Sequence, residues 1–353
     1  MRKNYLISIL FLSIYTLCNA AEPIGYYDIA IGKTEAALKT QLGAIVGPHT
    51  ERTYANLWTD FQTTDKRADG KVWDMYSTCS FTFVTDQDKG SGGSAECQFY
   101  NREHSFPKSW FNDATPMYTD LFHLYPTDKY VNNQRNNYPY GETESPTSTY
   151  SNGSKLGSST FSGYSGIVFE PIDEYKGDFA RTYFYMVTAY DDKVANWNSE
   201  HLNKTKYPAF NTWTIELLLK WNRLDPVSEK ETNRNNAVEA VQKNRNPFID
   251  YPDLAEYIWG TKMGEPWSHS SGIENLAIKF SISPNPVQNR LNIETNESNL
   301  TYIIYNLSGL AMAEDVLNVF SNSIDVSQFD NGMYLISLKS ATSRSIQKFI
   351  INK

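Results

Sequence analysis

Residues 100–107 read Tyr100-Asn101-Arg102-Glu103-His104-Ser105-Phe106-Pro107. Residues 120–137 read Asp120-Leu121-Phe122-His123-Leu124-Tyr125-Pro126-Thr127-Asp128-Lys129-Tyr130-Val131-Asn132-Asn133-Gln134-Arg135-Asn136-Asn137. The first run is a short strand that a proline must stop. The second opens as another strand and continues into a helix. On that helix Asn132 and Arg135, three positions apart, share a face. Strand, strand and helix in this order form a ββα unit, with an adjoining carboxylate and imidazole at the end of its first strand.

These residue types match the needs of phosphodiester hydrolysis. A neutral histidine near pH 7 can deprotonate water. A divalent cation must neutralise the phosphate and the leaving oxygen. A carboxylate with an amide oxygen makes a hard half-shell suited to Mg²⁺, which keeps most of its waters. An arginine can grip phosphate through two parallel N–H groups. One geometric objection stands, because neighbours in a regular strand point to opposite faces. Glu103 and His104 can serve one site only if the strand ends or bulges there. By residue type alone, His104 reads equally as a core histidine satisfied by its neighbours, and Asn132 as a helix-surface amide.

Working outward, the N-terminal MRKNYLISILFLSIYTLCNA pairs a basic start with an apolar run and ends on a small residue. Residues 1–20 therefore read as a secretory signal peptide, too short to span a membrane. No later stretch is long and apolar enough to do so. Removal of the signal leaves Cys79 and Cys97, an even pair in an exported chain, which predicts a disulfide. Closing that loop is worth roughly 3 kcal/mol.

Residues 34–42 read as helix. Residues 70–100 carry alternating aromatic runs that read as strands around a Gly-rich loop, and residues 141–165 as an irregular surface loop. DFARTYFYMVTAYDD predicts a buried helix. FNTWTIELLLKWNRL predicts another, with Trp213, Leu217, Trp221 and Leu224 on one stripe. Ser228 and Glu231 fit a capping box that starts a third, which stops before Asn246-Pro247. Composition changes near 261, and beyond 279 the chain is a series of short strands between Pro, Asn, Gly and Ser clusters.

The chain has 353 residues, with 32 Lys+Arg against 40 Asp+Glu and a formal net charge of −8. That length favours two domains. The acidic balance argues against holding nucleic acid by a general positive coat, although it leaves room for a locally basic groove. Lys89-Gly90-Ser91-Gly92-Gly93-Ser94 lacks the lysine-hydroxyl ending of a phosphate loop. No Cys/His spacing supports a structural zinc site.

NREHSFP, DLFHLYPTDKYVNNQRNN, FEPIDEYKGDFARTYFYM, LLLKWNRLDPVSEKETNRN and QKNRNPFIDYP together resemble successive blocks of the bacterial endonuclease I family, in the family's order. That resemblance implies a secreted nuclease, indifferent to the sugar, built on a ββα-metal finger. It implies that His104 is the general base and that Glu103 and Asn132 bind the metal. Arg135 and Arg181 are implied to contact or position phosphate. His123, Asn101 and Arg245 are supporting candidates, with Asn244, Arg245 and Asn246 of mainly structural use. Phe122-His123 stands where many members have two histidines, and no residue clearly matches the family's leaving-group arginine. Residues 280–353, with Pro284-Asn285-Pro286 and an Asn331-Gly332-Met333-Tyr334 turn, resemble the C-terminal sorting domain of type IX secretion.

The expectation is an α+β chain. A signal peptide (1–20) precedes a mixed α/β nuclease domain (21–260), a linker (261–279) and an all-β sandwich (280–353). Its function would be Mg²⁺-dependent hydrolysis (Ca²⁺ or Mn²⁺ as alternatives) of DNA and RNA with little sequence preference, leaving 5′-phosphate ends. Partners would be nucleic-acid substrates and the type IX machinery. The product would be a monomer, secreted or held at the cell surface. The competing readings are a ribonuclease without DNA activity and a catalytically inactive surface-binding protein.

Overall fold

A computed structural model describes residues 22–23, 25–268, 278, 280–295, 297, 300–306, 310–317, 322–340 and 344–353. The expected signal peptide at 1–20 lies outside the described residues. The chain divides after Ser268 into two compact units.

The first unit is built from helices α1 (Glu35–Val46) and α2 (Leu57–Thr64), strands β1 (Tyr100–His104) and β2 (Leu124–Asp128), and helix α3 (Lys129–Arg135). Strands β3 (Ser145–Thr149), β4 (Lys155–Ser158) and β5 (Ile167–Glu170) follow. Helices α4 (Asp173–Ala189), α5 (Thr212–Leu224), α6 (Glu229–Gln242), α7 (Pro247–Asp250) and α8 (Leu254–Trp259) complete it. Every residue of α4 from Gly177 to Ala189 is buried. A helix apolar or paired all round belongs at the centre, and α1, α5 and α7 pack on it.

β1 and β2 form a two-stranded antiparallel ribbon in which Glu103 faces Tyr125 and His104 faces Leu124. The chain turns straight from β2 into α3, because Asp128 caps the helix by accepting from the Tyr130 and Val131 amides at 2.8 and 3.1 Å. This is the expected ββα unit. It is anchored from outside. Arg234 of α6 donates to the carbonyls of Leu121 and Leu124, at 2.7 and 2.8 Å. The hydroxyls of Tyr125 and of Thr182 on α4 are hydrogen-bonded at 2.6 Å.

Three local expectations are corrected. Residues 70–99 contain turns and isolated bridges, not strands. Val72, Cys79, Phe81 and Tyr100 form a small core of their own around the Cys79–Cys97 disulfide. The left-handed φ of Val84 (69°) and Cys97 (67°) prevents a continuous extended run. The aromatic alternation therefore records packing around a staple and not a ladder. Residues 145–158 are a hairpin rather than an irregular loop. Their side chains are mostly exposed, but their backbones pair outward from the more buried β5. Leu224 is 72% exposed because α5 ends on it, while Trp213, Leu217 and Trp221 are buried as the stripe predicts. The capping box of α6 is present.

Residues 261–268 stay with the first unit. Trp267 is buried, and its carbonyl accepts from Gly32 at 2.7 Å. Residues 269–277 and 279 of the expected linker lie outside the described residues. Among the described residues no helix is long and apolar enough to cross a membrane.

The second unit is all-β. A three-stranded sheet contains Phe280–Ser283, Arg290–Thr295 and Ser323–Asp325, and a four-stranded sheet contains Thr301–Asn306, Ala311–Val316, Gly332–Lys339 and Arg344–Ile351. Among the described residues every strand pairing within these two sheets is antiparallel. Leu291 and Ile293 of the first sheet share one core with Ile304, Ile336 and Phe349 of the second, as in a sandwich.

Candidate active site

Alternation along β1 sorts the site residues onto two faces. Asn101 and Glu103 lie toward α3. The Asn132 side chain donates from Nδ2 to Asn101 Oδ1 at 2.8 Å, which leaves its own Oδ1 as a hard acceptor. Arg135, one helical turn on, donates to Glu103 Oε1 at 2.8 Å. The Tyr76 hydroxyl donates to the same oxygen at 2.7 Å and is itself hydrogen-bonded to the Tyr140 hydroxyl at 2.5 Å. Both bonds to Glu103 fall on Oε1, so neither engages Oε2. Burial raises the Glu103 pKa above the usual carboxylate range, with Arg135 pulling the other way.

Arg135 also closes the end of the strand. It donates to the carbonyls of His104 at 3.0 Å and Ser105 at 2.7 Å. Burial works against its charge, but Tyr76 and Glu103 outweigh that and raise its pKa. With 1% exposure, the guanidinium has no open side toward a phosphate. Its geometry is that of a positioning residue for Glu103 and for the backbone carrying His104.

Arg102 and His104 occupy the other face. His104 Nε2 lies 3.0 Å from the Tyr118 carbonyl. A carbonyl only accepts, so Nε2 carries the proton and Nδ1 keeps its lone pair. The ring stacks on Tyr118, with centroids 5.1 Å apart, and lies parallel to Tyr54 at 6.1 Å. Burial, and then the neighbouring His123, hold its pKa well below the usual histidine value. It is therefore a neutral imidazole locked in one tautomer, the form a general base requires. Arg102 lies over the rings of Tyr54 (3.5 Å) and Trp58 (4.2 Å) and donates to the Tyr54 carbonyl at 2.6 Å.

The anticipated break in the strand is present, since β1 ends at His104. Among the described residues the ribbon has two strands, and the edge of β1 away from β2 has no ladder partner there over residues 101–104. A ligand approaching that edge can meet groups from both faces. The oxygens of Glu103 and Asn132 are hard donors on one side of it, and this donor set fits a small divalent cation.

His123 is fully buried. Its Nε2 is 2.7 Å from the Met117 carbonyl, and its ring centroid is 5.4 Å from that of His104. The short 3-10 turn Met117–Thr119 thus presents consecutive carbonyls to two imidazoles. Burial first, opposed by Asp120, lowers the His123 pKa. Burial would raise that of Asp120, but His49, His123 and hydrogen bonds from Gln242 and Tyr190 outweigh it and hold Asp120 ionised.

Arg181 is not brought to this site. It is fully buried on α4 and donates to both oxygens of Glu231, at 2.5 and 2.7 Å, to Asn222 Oδ1 at 3.0 Å and to the Asp225 carbonyl at 2.8 Å. It ties α4 to α5 and α6, and the expectation of a phosphate contact is corrected to that of an internal brace. Arg245 is likewise buried between Asp250, Glu239 and Asn236. Asn246 caps α7 through the Phe248 amide and donates to the Arg181 carbonyl.

Sequence reading missed Tyr76, Tyr140, Tyr54 and Tyr118. None carries a local signal, because each reaches the site through tertiary packing. Asp128 was findable as a cap ahead of a helix. Its second oxygen also accepts from the Cys97 amide at 2.7 Å, linking the disulfide loop to the finger.

The family model described as Endonuclease I matches residues 34–253. That described as Secretion system C-terminal sorting domain matches residues 281–352. Among curated relatives, the "Extracellular ribonuclease" of Bacillus amyloliquefaciens is 33% identical over 254 residues, covering 68% of this chain and 80% of that protein. The "Extracellular ribonuclease" of Bacillus subtilis (strain 168) is 32% identical over 267 residues, covering 70% and 84%. The "Endonuclease-1" of Buchnera aphidicola subsp. Baizongia pistaciae is 31% identical over 131 residues, covering 37% and 46%.

Proposed function

Given that the chain belongs to the endonuclease I family and is an exported nuclease, we propose that it cuts DNA and RNA internally in an Mg²⁺-dependent reaction. Little sequence preference and 5′-phosphate ends complete the reading.

The observation that carries it is the hydrogen bond from His104 Nε2 to the Tyr118 carbonyl, 3.0 Å long, on a ring kept neutral by burial. His104 Nδ1 then accepts the proton of the attacking water. Glu103 and Asn132 hold the cation. When bound, that cation supplies neutralising charge at the phosphate and the leaving 3′-oxygen. Arg135 fixes the Glu103 carboxylate and the carbonyls of His104 and Ser105, so the base and the metal-binding carboxylate keep one spacing. Asn101 orients the Asn132 amide. His123 supports the turn that holds His104, while Arg181 and Arg245 brace the helices behind the finger. The acidic chain, at −8 overall, cannot draw in a polyanion by net charge. The half-buried Arg102 and exposed Lys108 lie closest to the base in sequence and supply local positive charge.

A gel assay of plasmid DNA and of total RNA, with Mg²⁺ and after exhaustive chelation, tests the reading. Degradation of both polymers with Mg²⁺ and of neither after chelation is expected. Cleavage that survives chelation removes the metal. Cleavage of RNA alone selects the second reading, a ribonuclease, which the names of the two Bacillus relatives favour.

A further inference from the structure

A cleft of about 540 Å³ opens beside the finger, a volume typical of small-ligand sites. Two of its walls continue the active-site segments. Ser109 and Trp110 follow the loop that leaves His104, and Asn136, Asn137 and Tyr138 follow the end of α3. Five chain steps lead from His104 to Ser109, so the two are at most about 18 Å apart. Asn136 lies about 6 Å along the helix from Asn132. Asn198 closes the far side and is tied to this wall, its amide donating to the Trp110 carbonyl at 3.0 Å.

The lining is polar but contains no lysine or arginine, and it includes one carboxylate, Glu200. Such a surface offers phosphate no cation and suits a neutral polar ring. Among the described residues, no protein group hydrogen-bonds the exposed side-chain amides of Asn137 and Asn198. Each amide offers a donor and an acceptor together, the pattern that matches the edge of a nucleobase. Tyr164 is held flat against Trp213, with centroids 4.7 Å apart and planes at 9°. That makes it a fixed aromatic wall, and Tyr138 adds a second ring.

We propose that this cleft is a subsite for an unpaired nucleobase of the strand being cut, with Tyr164 as stacking wall and Asn137 and Asn198 as edge contacts. The inference rests on the nuclease reading and deepens it. A base paired within a duplex hides the edge that the amides would meet, so the cleft serves single-stranded substrate. It would leave duplex cleavage to the finger alone.

The test compares initial rates of the full chain with Mg²⁺ on a single-stranded RNA dodecamer and on a DNA duplex of the same length. Wild type is set against Tyr164→Ala and the double variant Asn137→Ala/Asn198→Ala. KM for the single strand should rise roughly tenfold, in line with the loss of one stacked base, with kcat within about twofold and duplex kinetics unchanged. Retained duplex cleavage also reports that the variants are folded. An unchanged single-strand KM, or an equal loss on both substrates, overturns the subsite. A wild type that cuts neither substrate overturns the nuclease reading itself, and the subsite falls with it.

Discussion

Strand β1 has two faces, and the protein treats them in opposite ways. On one, Glu103 is enclosed by Arg135, Tyr76 and Tyr140, so a charge is buried and balanced by charge and hydroxyls. On the other, His104 lies among Tyr54 and Tyr118, and burial keeps it uncharged. The first arrangement fixes a carboxylate for a cation to bind, with Arg135 opposing the burial that raises its pKa. The second preserves a lone pair for a proton. One five-residue strand can supply both because adjacent side chains diverge and the strand stops at His104.

The sharpest way to break the comparison is on the charged face. Arg135→Ala leaves Glu103 buried without its partner, an error that costs about 3–5 kcal/mol. A large fall in Tm with loss of nuclease activity is expected, and calorimetry checks it. A smaller effect is expected at the hinge between finger and disulfide loop. Asp128→Ala removes the α3 cap and the acceptor of the Cys97 amide, and urea denaturation should show a loss of about 1–2 kcal/mol. Smaller again is the effect on the aromatic face. Arg102 is half-buried over two rings, and Arg102→Ala should cost about 0.5–1 kcal/mol. A loss equal to that of Arg135→Ala would erase the distinction between the faces.

The smallest effect is a pH change that should do almost nothing. The His104 pKa lies well below 6.5, so the base remains unprotonated as pH falls from 7.5 to 6. The acid limb of kcat/KM should therefore fall below the ordinary histidine range. The linkage has the same sign. The unfolded chain binds this proton first, so the stability contributed is complete above about 6.5 and declines as pH drops toward the folded value. An acid limb centred at 6.5 would mean an exposed, unperturbed ring.

Much of this was legible in the chain. Pro107 predicted where the first strand stops, and Asn132 and Arg135 at helical spacing predicted the third element of the finger. Ser228 and Glu231 gave the start of α6, but not the second use of that carboxylate as the partner of Arg181. Arg181 misled because an arginine in a sequence carries no mark of burial, and the acceptors that neutralise it come from α5, α6 and the turn between them. The aromatic runs at 70–99 misled because packing around the Cys79–Cys97 staple imitates strand alternation. The tyrosines around Glu103 and His104 were invisible for the same reason, being brought in by tertiary contacts such as that between Tyr76 and Glu103.

The central claim is that His104 acts as the base at the end of a finger that folds without it. Single-turnover cleavage of supercoiled plasmid by His104→Ala, at saturating Mg²⁺ and with its Tm measured alongside, tests this most directly. A rate reduced by roughly 10²–10⁴ at an unchanged Tm is the predicted result. A rate within a few-fold of wild type would contradict it.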